Sequence, residues 1–209
     1  MRQMRMVDQV FPCATDTVLA RVHADAEALG QAFDRTFSAD DVGRATRGVE
    51  SMSAQSDLDY LRRAIAVSQA ARDHGNHPFG AVLVAPSGAI VLEAENSVAT
   101  ENDVTNHAET NLVRLASRTI RHDDLPRYTC YTSCEPCAMC AGAIYWAGIG
   151  RVVYGLSEAG LLELTGNHPG NPTLMHPCRS VFADGRRETV VAGPLIEDEA
   201  AAPHRNFWM

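Results

Sequence analysis

Apolar and polar residues follow regular patterns from residue 56 to the end of the chain, and these patterns predict alternating helices and strands. Leu58, Leu61 and Ile65 recur at helical spacing, which predicts a first helix over 56–75. Short apolar runs between turn residues predict strands at 80–85, 89–95, 128–132, 151–155 and 188–191. Further helices are predicted at 107–120, 137–147, 157–164, 196–208 and, as helix or turn, 176–183, with a polar loop at 96–106.

The alternation of helices with strands predicts an α/β fold whose sheet is covered on both faces. The N-terminal quarter has a different pattern. Residues 17–37 fit one amphipathic helix, and 38–56 are small and polar without a period, as in a linker. We therefore divide the chain into an N-terminal extension at 1–51, helical or poorly ordered, and a folded domain at 52–209.

Charge and composition exclude several functions. The 209 residues carry 18 basic and 26 acidic side chains, a net charge of −8, and no lysine occurs. Mechanisms that need a lysine Schiff base or a P-loop lysine are therefore excluded. The acidic balance weighs against a protein that binds a nucleic-acid backbone over a wide surface. No apolar run is long enough to span a membrane, and no signal peptide is recognisable, so we expect a cytoplasmic protein.

Four of the six cysteines, Cys130, Cys134, Cys137 and Cys140, fall within 11 residues. In a cytoplasmic protein such crowding favours metal ligands or thiols over disulfides. Cys137 and Cys140 are three residues apart at a predicted helix start, so their sulfurs share one face. We expect Pro136 in the first turn of that helix, where its missing N–H costs nothing.

His107 stands at another predicted helix start and offers an imidazole, so that His107, Cys137 and Cys140 would form a three-ligand zinc site. Three protein ligands leave a fourth position open, which is typical of catalytic zinc. Glu109, two residues after the histidine, is placed to move a proton to and from a water that zinc activates. Taken singly, C-x-x-C also fits a redox pair or half a structural zinc knuckle. The run of Cys134, Cys137 and Cys140 could also suggest an iron–sulfur site, but the fourth ligand is missing.

At these residues the chain resembles the cytidine/deoxycytidylate deaminase superfamily, for which H-x-E…P-C-x-x-C is a signature. The resemblance is strong over about 57–157, loose toward the C-terminus and absent from 1–51. Within the superfamily it is best for the bacterial guanine deaminase branch. The blocks that carry it are HPFGAVLV (77–84), ENSVATENDVTNHAE (95–109) and YTSCEPCAMCAGAIYWAG (131–148).

The resemblance implies a three-layer α/β/α sandwich around a five-stranded mixed sheet, assembled as a homodimer. It also implies one zinc ion per chain on His107, Cys137 and Cys140, with Glu109 as proton shuttle. The substrate-binding residues that it implies are Asn96 as a hydrogen-bonding partner, Phe79 as an apolar wall, and backbone groups at Ala108, Glu135 and Pro136.

The implied reaction is hydrolytic deamination of a small nucleobase or nucleoside by attack of zinc-activated water on the amino-bearing carbon. The leading candidate substrate is guanine, which would yield xanthine and ammonia. Guanine deaminases also use an acidic residue after the fourth strand, for which Glu158 and Glu163 are candidates. Three alternatives stay open. They are a tRNA wobble adenosine deaminase, a deaminase of cytosine or another aminated heterocycle, and a non-catalytic, zinc-stabilised binding module.

Overall fold

A five-stranded mixed sheet forms the centre of the fold. The structure, a computed structural model, describes residues 39–166 and 168–209, with side chains from Ser56 onward. The strands are β1 (Gly80–Val84), β2 (Ile90–Glu95), β3 (Thr129–Cys134), β4 (Arg151–Leu156) and β5 (Val190–Ala192), in the order β2-β1-β3-β4-β5. Strand β1 is antiparallel to β2 and β3, whereas β3, β4 and β5 are parallel. The predicted five-stranded mixed sheet is confirmed.

Helices cover both faces of the sheet, which gives the expected three layers. They are α1 (Ala39–Asp73), α2 (Val98–Glu101), α3 (Ala108–Thr119), α4 (Ala138–Ala147), α5 (Glu158–Thr165), α6 (Cys178–Ala183) and α7 (Glu197–Ala200), with 3-10 turns at Leu125–Arg127 and Ala202–His204. The fully buried strand β1 shows how the layers form. Val82 and Val84 pack with α1, while Ala81 and Leu83 pack with α3 and α4 on the other face, since neighbouring residues of a strand point to opposite sides.

Helix α1 lies very close to the sheet at Gly80. A β-carbon at this position would lie 2.4 Å from the backbone nitrogen of Ser68 and 2.5 Å from the backbone oxygen of Ala64. Farther toward the start of α1, the Asp57 carboxylate accepts hydrogen bonds from Arg151 Nη2 at 2.7 Å and from the Tyr131 hydroxyl at 2.6 Å. These contacts fix α1 against β3 and β4.

Three sequence expectations for the backbone were wrong. Residues 39–56, expected as part of a linker, belong to α1, because extending a helix that its packed part has already nucleated costs far less than starting a new one. The polar loop at 96–106 contains the short helix α2. The single helix expected at 196–208 is instead α7 followed by a 3-10 turn, since Pro203 cannot continue an α-helix. The amphipathic helix predicted at 17–37 lies outside the described residues.

Within the described residues, we find no helix with the length and apolar character that crossing a membrane requires.

Candidate metal centre and active site

Three metal-ligating atoms meet where α3 and α4 begin. Cys137 Sγ lies 3.5 Å from Cys140 Sγ and 3.7 Å from His107 Nδ1, and Cys140 Sγ lies 3.6 Å from the same nitrogen. Two thiolates that are each about 2.3 Å from a tetrahedral zinc ion lie about 3.8 Å apart. The triangle and its donor set, two sulfurs and one imidazole, therefore fit zinc. Among the described residues, no other group of three His, Cys, Asp or Glu side chains could hold a metal.

Helix capping places these residues. His107 is the N-cap of α3 and Cys137 is the N-cap of α4, both with extended backbone, so each side chain leaves its helix at the N-terminal end. Hydrogen bonds from Cys140, and then from His107, lower the pKa of Cys137 to about 4 although burial acts the other way. Unpaired N–H groups at helix N-termini favour thiolates in the same way. Pro136, expected in the first turn of α4, lies one residue before the N-cap instead.

Glu109 completes the polar end of the site. It lies in the first turn of α3, is only 4% exposed, and accepts a hydrogen bond of 2.7 Å from the Thr132 hydroxyl. Burial, and next the charge of the Cys137 thiolate, raise the pKa of Glu109. A carboxylate held in this way can exchange a proton with a bound water or a ligand atom.

The site opens into a cavity of ≈ 380 Å³, within the range of about 300–1,000 Å³ that small-molecule sites occupy. Five residues predicted from the sequence line it, namely His107, Glu109, Cys137, Phe79 and Glu135. Cys140, Asn96, Ala108 and Pro136 are buried but are not part of the cavity wall. Of the two carboxylates proposed after β4, Glu158 lines the cavity and the exposed Glu163 does not.

Asn96 is fully buried at the end of β2. Its Oδ1 accepts a hydrogen bond of 3.0 Å from the N–H of Val98, which starts α2. Its Nδ2 is buried without a hydrogen-bond partner in the described part of the chain. The Asn96 oxygen therefore fixes the start of α2, whereas the Asn96 nitrogen is a donor without a partner in the described residues.

The Glu135 carboxylate has a role that the sequence did not indicate. It accepts hydrogen bonds from the backbone N–H of Glu158 at 3.2 Å and of Cys178 at 3.0 Å. It thereby connects the segment before α4 to the first residues of α5 and α6. The backbone N–H of the buried Cys178 is thus part of this connection.

The C-terminal residues pack beside the cavity. The Trp208 indole N–H donates to His204 Nδ1 at 3.2 Å, and His204 Nε2 lies 3.3 Å from the Cys134 sulfur. The Trp208 ring contacts His77 and Phe79, with centroid distances of 5.1 and 6.3 Å. His77 itself lines the cavity, and only its place in the HPFG block could have indicated this position.

Residues 54–156 match the family model described as the cytidine and deoxycytidylate deaminase zinc-binding region. A protein of Schizosaccharomyces pombe named "Probable cytosine deaminase" is 47% identical over 155 residues, 74% of this chain and 94% of the relative. The chain belongs to the cytidine and deoxycytidylate deaminase family. The zinc-binding region of this family includes all three ligand candidates, and the cluster is compatible with one zinc ion.

Two further deaminases are similar to the chain. The guanine deaminase of Bacillus subtilis is 42% identical over 105 residues, 50% of this chain and 67% of that protein. A solved tRNA:A34 deaminase structure is 30% identical, with a TM-score of 0.53 over 70% of this chain and 99% of that one. Membership of the family supports a hydrolytic deaminase built on the cytidine deaminase-like fold.

Replacing Cys140 with serine is expected to reduce bound zinc from one ion per chain to less than about a tenth, because serine is a poor zinc ligand and the remaining pair binds weakly. Elemental analysis after extensive dialysis measures this. Cys178→Ala is the matched control, since Cys178 is also buried but lies outside the cluster. Full zinc content in Cys140→Ser would show that this triangle is not the metal site.

Proposed function

We propose that the protein is a zinc-dependent hydrolytic deaminase of a free nucleobase. The observation that carries this proposal is the buried Glu109 carboxylate in the same cavity as the metal-compatible cluster of His107, Cys137 and Cys140. A structural zinc site has no use for a buried carboxylate with access to a cavity. This argues against the alternative of a non-catalytic binding module.

In this proposal His107, Cys137 and Cys140 hold zinc, which when bound supplies a Lewis acid that makes water nucleophilic near neutral pH. Glu109 accepts a proton from the water and passes it to a ring nitrogen, and it later takes the second proton from the oxygen added to the ring and gives it to the departing amine. The Thr132 hydroxyl donates to Glu109 Oε1 and so orients the carboxylate during these transfers. The burial of Glu109 keeps bulk water from competing for the same proton.

The remaining predicted residues bind the base. Phe79 supplies an apolar cavity wall against which a planar ring can pack. The Nδ2 group of Asn96 is a buried donor with no partner in the described part of the chain, and a ring nitrogen or carbonyl of the base would satisfy it. Backbone groups at Ala108, Glu135 and Pro136, which adjoin the zinc-ligand candidates His107 and Cys137 in the chain, orient the amino group of the base.

Glu158 supplies an acceptor at the cavity wall. Its carboxylate has no hydrogen bond or ion pair within the described residues, although it is partly buried. A free base has an N–H at the nitrogen that carries the sugar in a nucleoside, and this N–H is a suitable partner for Glu158. The proposal therefore favours free bases over nucleosides.

Guanine is the first substrate that we propose, because the three sequence blocks resemble the guanine deaminase branch. Cytosine is the second, and a specific observation favours it. The "Probable cytosine deaminase" of S. pombe aligns over 94% of its length, whereas the guanine deaminase of B. subtilis aligns over 67%. Deamination of tRNA is disfavoured by the net charge of −8 and by the absence of lysine.

We further propose a homodimer in which α4 lies at the interface. Met139, Gly142, Ala143 and Trp146 share one face of this helix, which has no charged residue. Trp146 is 78% and Met139 38% exposed in the single chain. A helix that is apolar all round is normally buried, and a second copy of the chain presents a matching apolar face. A cytoplasmic location stays a prediction.

The zinc-loaded protein is expected to release ammonia from guanine or cytosine, and at least about 100-fold more slowly from guanosine and cytidine, because the sugar removes the N–H that we assign to Glu158. A coupled ammonia assay on purified protein measures this, with adenine and a tRNA transcript as further substrates. Turnover of cytosine alone would replace guanine as the substrate. Inosine formation in the tRNA with no turnover of any base would contradict the proposal.

Glu109→Gln is expected to lower kcat by about 10²–10⁴ without loss of zinc, since the amide keeps the hydrogen bond to Thr132 but transfers no proton. Steady-state kinetics and elemental analysis on one preparation test both parts. Glu163→Gln makes the same change at an exposed carboxylate outside the cavity and should leave kcat within twofold. Wild-type turnover by Glu109→Gln would refute the shuttle.

Trp146→Glu is expected to convert a dimer into a monomer of 22.6 kDa, because it places a charge in the apolar face of α4. Sedimentation velocity distinguishes the two masses. Ser117→Glu adds the same charge on the exposed side of α3 and should leave the dimer intact. A wild-type protein that sediments as a monomer at assay concentrations would rule out this interface.

A further inference from the structure

His77 lies in the wall of the active-site cavity, immediately before Pro78 and the apolar wall residue Phe79. It is the only histidine other than His107 in that wall, among the residues that the structure describes. Neither the metal cluster nor the proton transfer uses it. Its place in the cavity therefore needs a separate explanation.

The imidazole of His77 is held in one position by its surroundings. Its backbone carbonyl accepts a hydrogen bond of 2.8 Å from the N–H of Phe79, which closes a tight turn before β1. Its ring packs against Trp208 at 5.1 Å and edge-on against Phe207 at 6.1 Å. The ring is therefore oriented before any ligand arrives, which lowers the entropic cost of a contact with that ligand.

The polar atoms of this ring are not used by the fold. Within 56–166 and 168–209, neither ring nitrogen of His77 forms a hydrogen bond, although the side chain is partly buried. Burial, and next the neighbouring His107 and His168, lower the pKa of His77 and favour the neutral ring. A neutral imidazole offers one N–H donor and one acceptor nitrogen.

The other polar side chains of the wall decide which of these two atoms matters. Glu109, Glu135 and Glu158 are carboxylates and supply acceptors when ionised. Asn171 also lines the cavity, and its amide Nδ2 is a buried donor without a hydrogen-bond partner among the described residues. Since His107 belongs to the metal cluster, His77 and Asn171 are the described wall side chains with a donor free for a ligand, and His77 is the one whose ring is oriented by aromatic packing.

We propose that His77 donates a hydrogen bond to a ring carbonyl oxygen of the substrate and is therefore a specificity-determining residue. The inference rests on the proposed function and narrows its substrate class to aminated bases that also carry a carbonyl. Guanine and cytosine both meet this condition, whereas adenine has no carbonyl. Together with Glu158, His77 would distinguish a base by one donor and one acceptor contact.

The test compares each base with an analogue that lacks the carbonyl and the adjoining lactam N–H, namely guanine with 2-aminopurine and cytosine with 4-aminopyrimidine. The change in this comparison when His77 is replaced isolates the contact with the oxygen. The ratio of the two kcat/KM values on one preparation is independent of the folded or zinc-loaded fraction. The wild-type ratio is expected to be about 100 or more. His77→Phe, which keeps the aromatic packing against Trp208, should lower it at least about 30-fold, through loss of activity on the base with the carbonyl.

His77→Gln retains a donor and should keep the ratio within about tenfold of wild type. His74→Phe makes the same change at an exposed histidine, which pairs with Glu95 at 3.0 Å outside the cavity, and should keep the wild-type ratio. A His77→Phe ratio within threefold of wild type overturns the inference, even if both activities fall.

The two proposals fail separately. If the wild-type protein deaminates a base and His77→Phe keeps its ratio, only the role of His77 is wrong. If no base is deaminated, the proposed function is wrong, and calorimetric dissociation constants for the same base and analogue then decide the role of His77. In that case equal affinities for the two, or no binding of either, would overturn it.

Discussion

The close packing of α3 against α4 is the constraint on which the site depends. Three donor atoms from two helices lie within 3.7 Å of one another only because the helix N-termini meet. Small side chains allow this approach, since Ala108 and Ala141 are both fully buried in the core between the helices and the sheet. A larger side chain at either position would separate His107 from the cysteines. The same packing directs Glu109 into the cavity.

A second buried group fixes the position of part of the cavity wall. The Glu135 carboxylate accepts hydrogen bonds from the N–H groups that begin α5 and α6, so a residue two positions before the ligand Cys137 also sets the position of Glu158. One short segment therefore positions a metal-ligand candidate on one side and a cavity-wall carboxylate on the other. This explains how cavity-lining groups from distant parts of the chain keep a fixed relation to the metal cluster.

The sequence predicts most of what depends on local pattern. The strands, α3 and α4, and the capping positions of His107 and Cys137 follow from periodicity and from residues that start helices. The groups that depend on tertiary contacts were missed. The backbone-binding role of the Glu135 carboxylate requires α5 and α6 to be in place, and the wall position of His77 depends on Trp208, which is 131 residues away along the chain. The C-terminal helix is shorter than its apolar pattern predicts because Pro203 cannot continue an α-helix.

The charge of the cavity links the metal to the choice of substrate. Burial, and then the negative charges of Cys137, Glu135 and Glu109, raise the pKa of Glu158 to about 7. So many acidic groups around one cavity repel one another unless a cation is present, and a zinc ion on His107, Cys137 and Cys140 supplies two positive charges. With that charge matched by two thiolates, the remaining carboxylates still disfavour a polyanionic substrate. A small neutral base that offers N–H groups to Glu158 and a carbonyl to His77 meets no such repulsion. The electrostatics of the cavity and the net charge of the chain therefore favour the same substrate class.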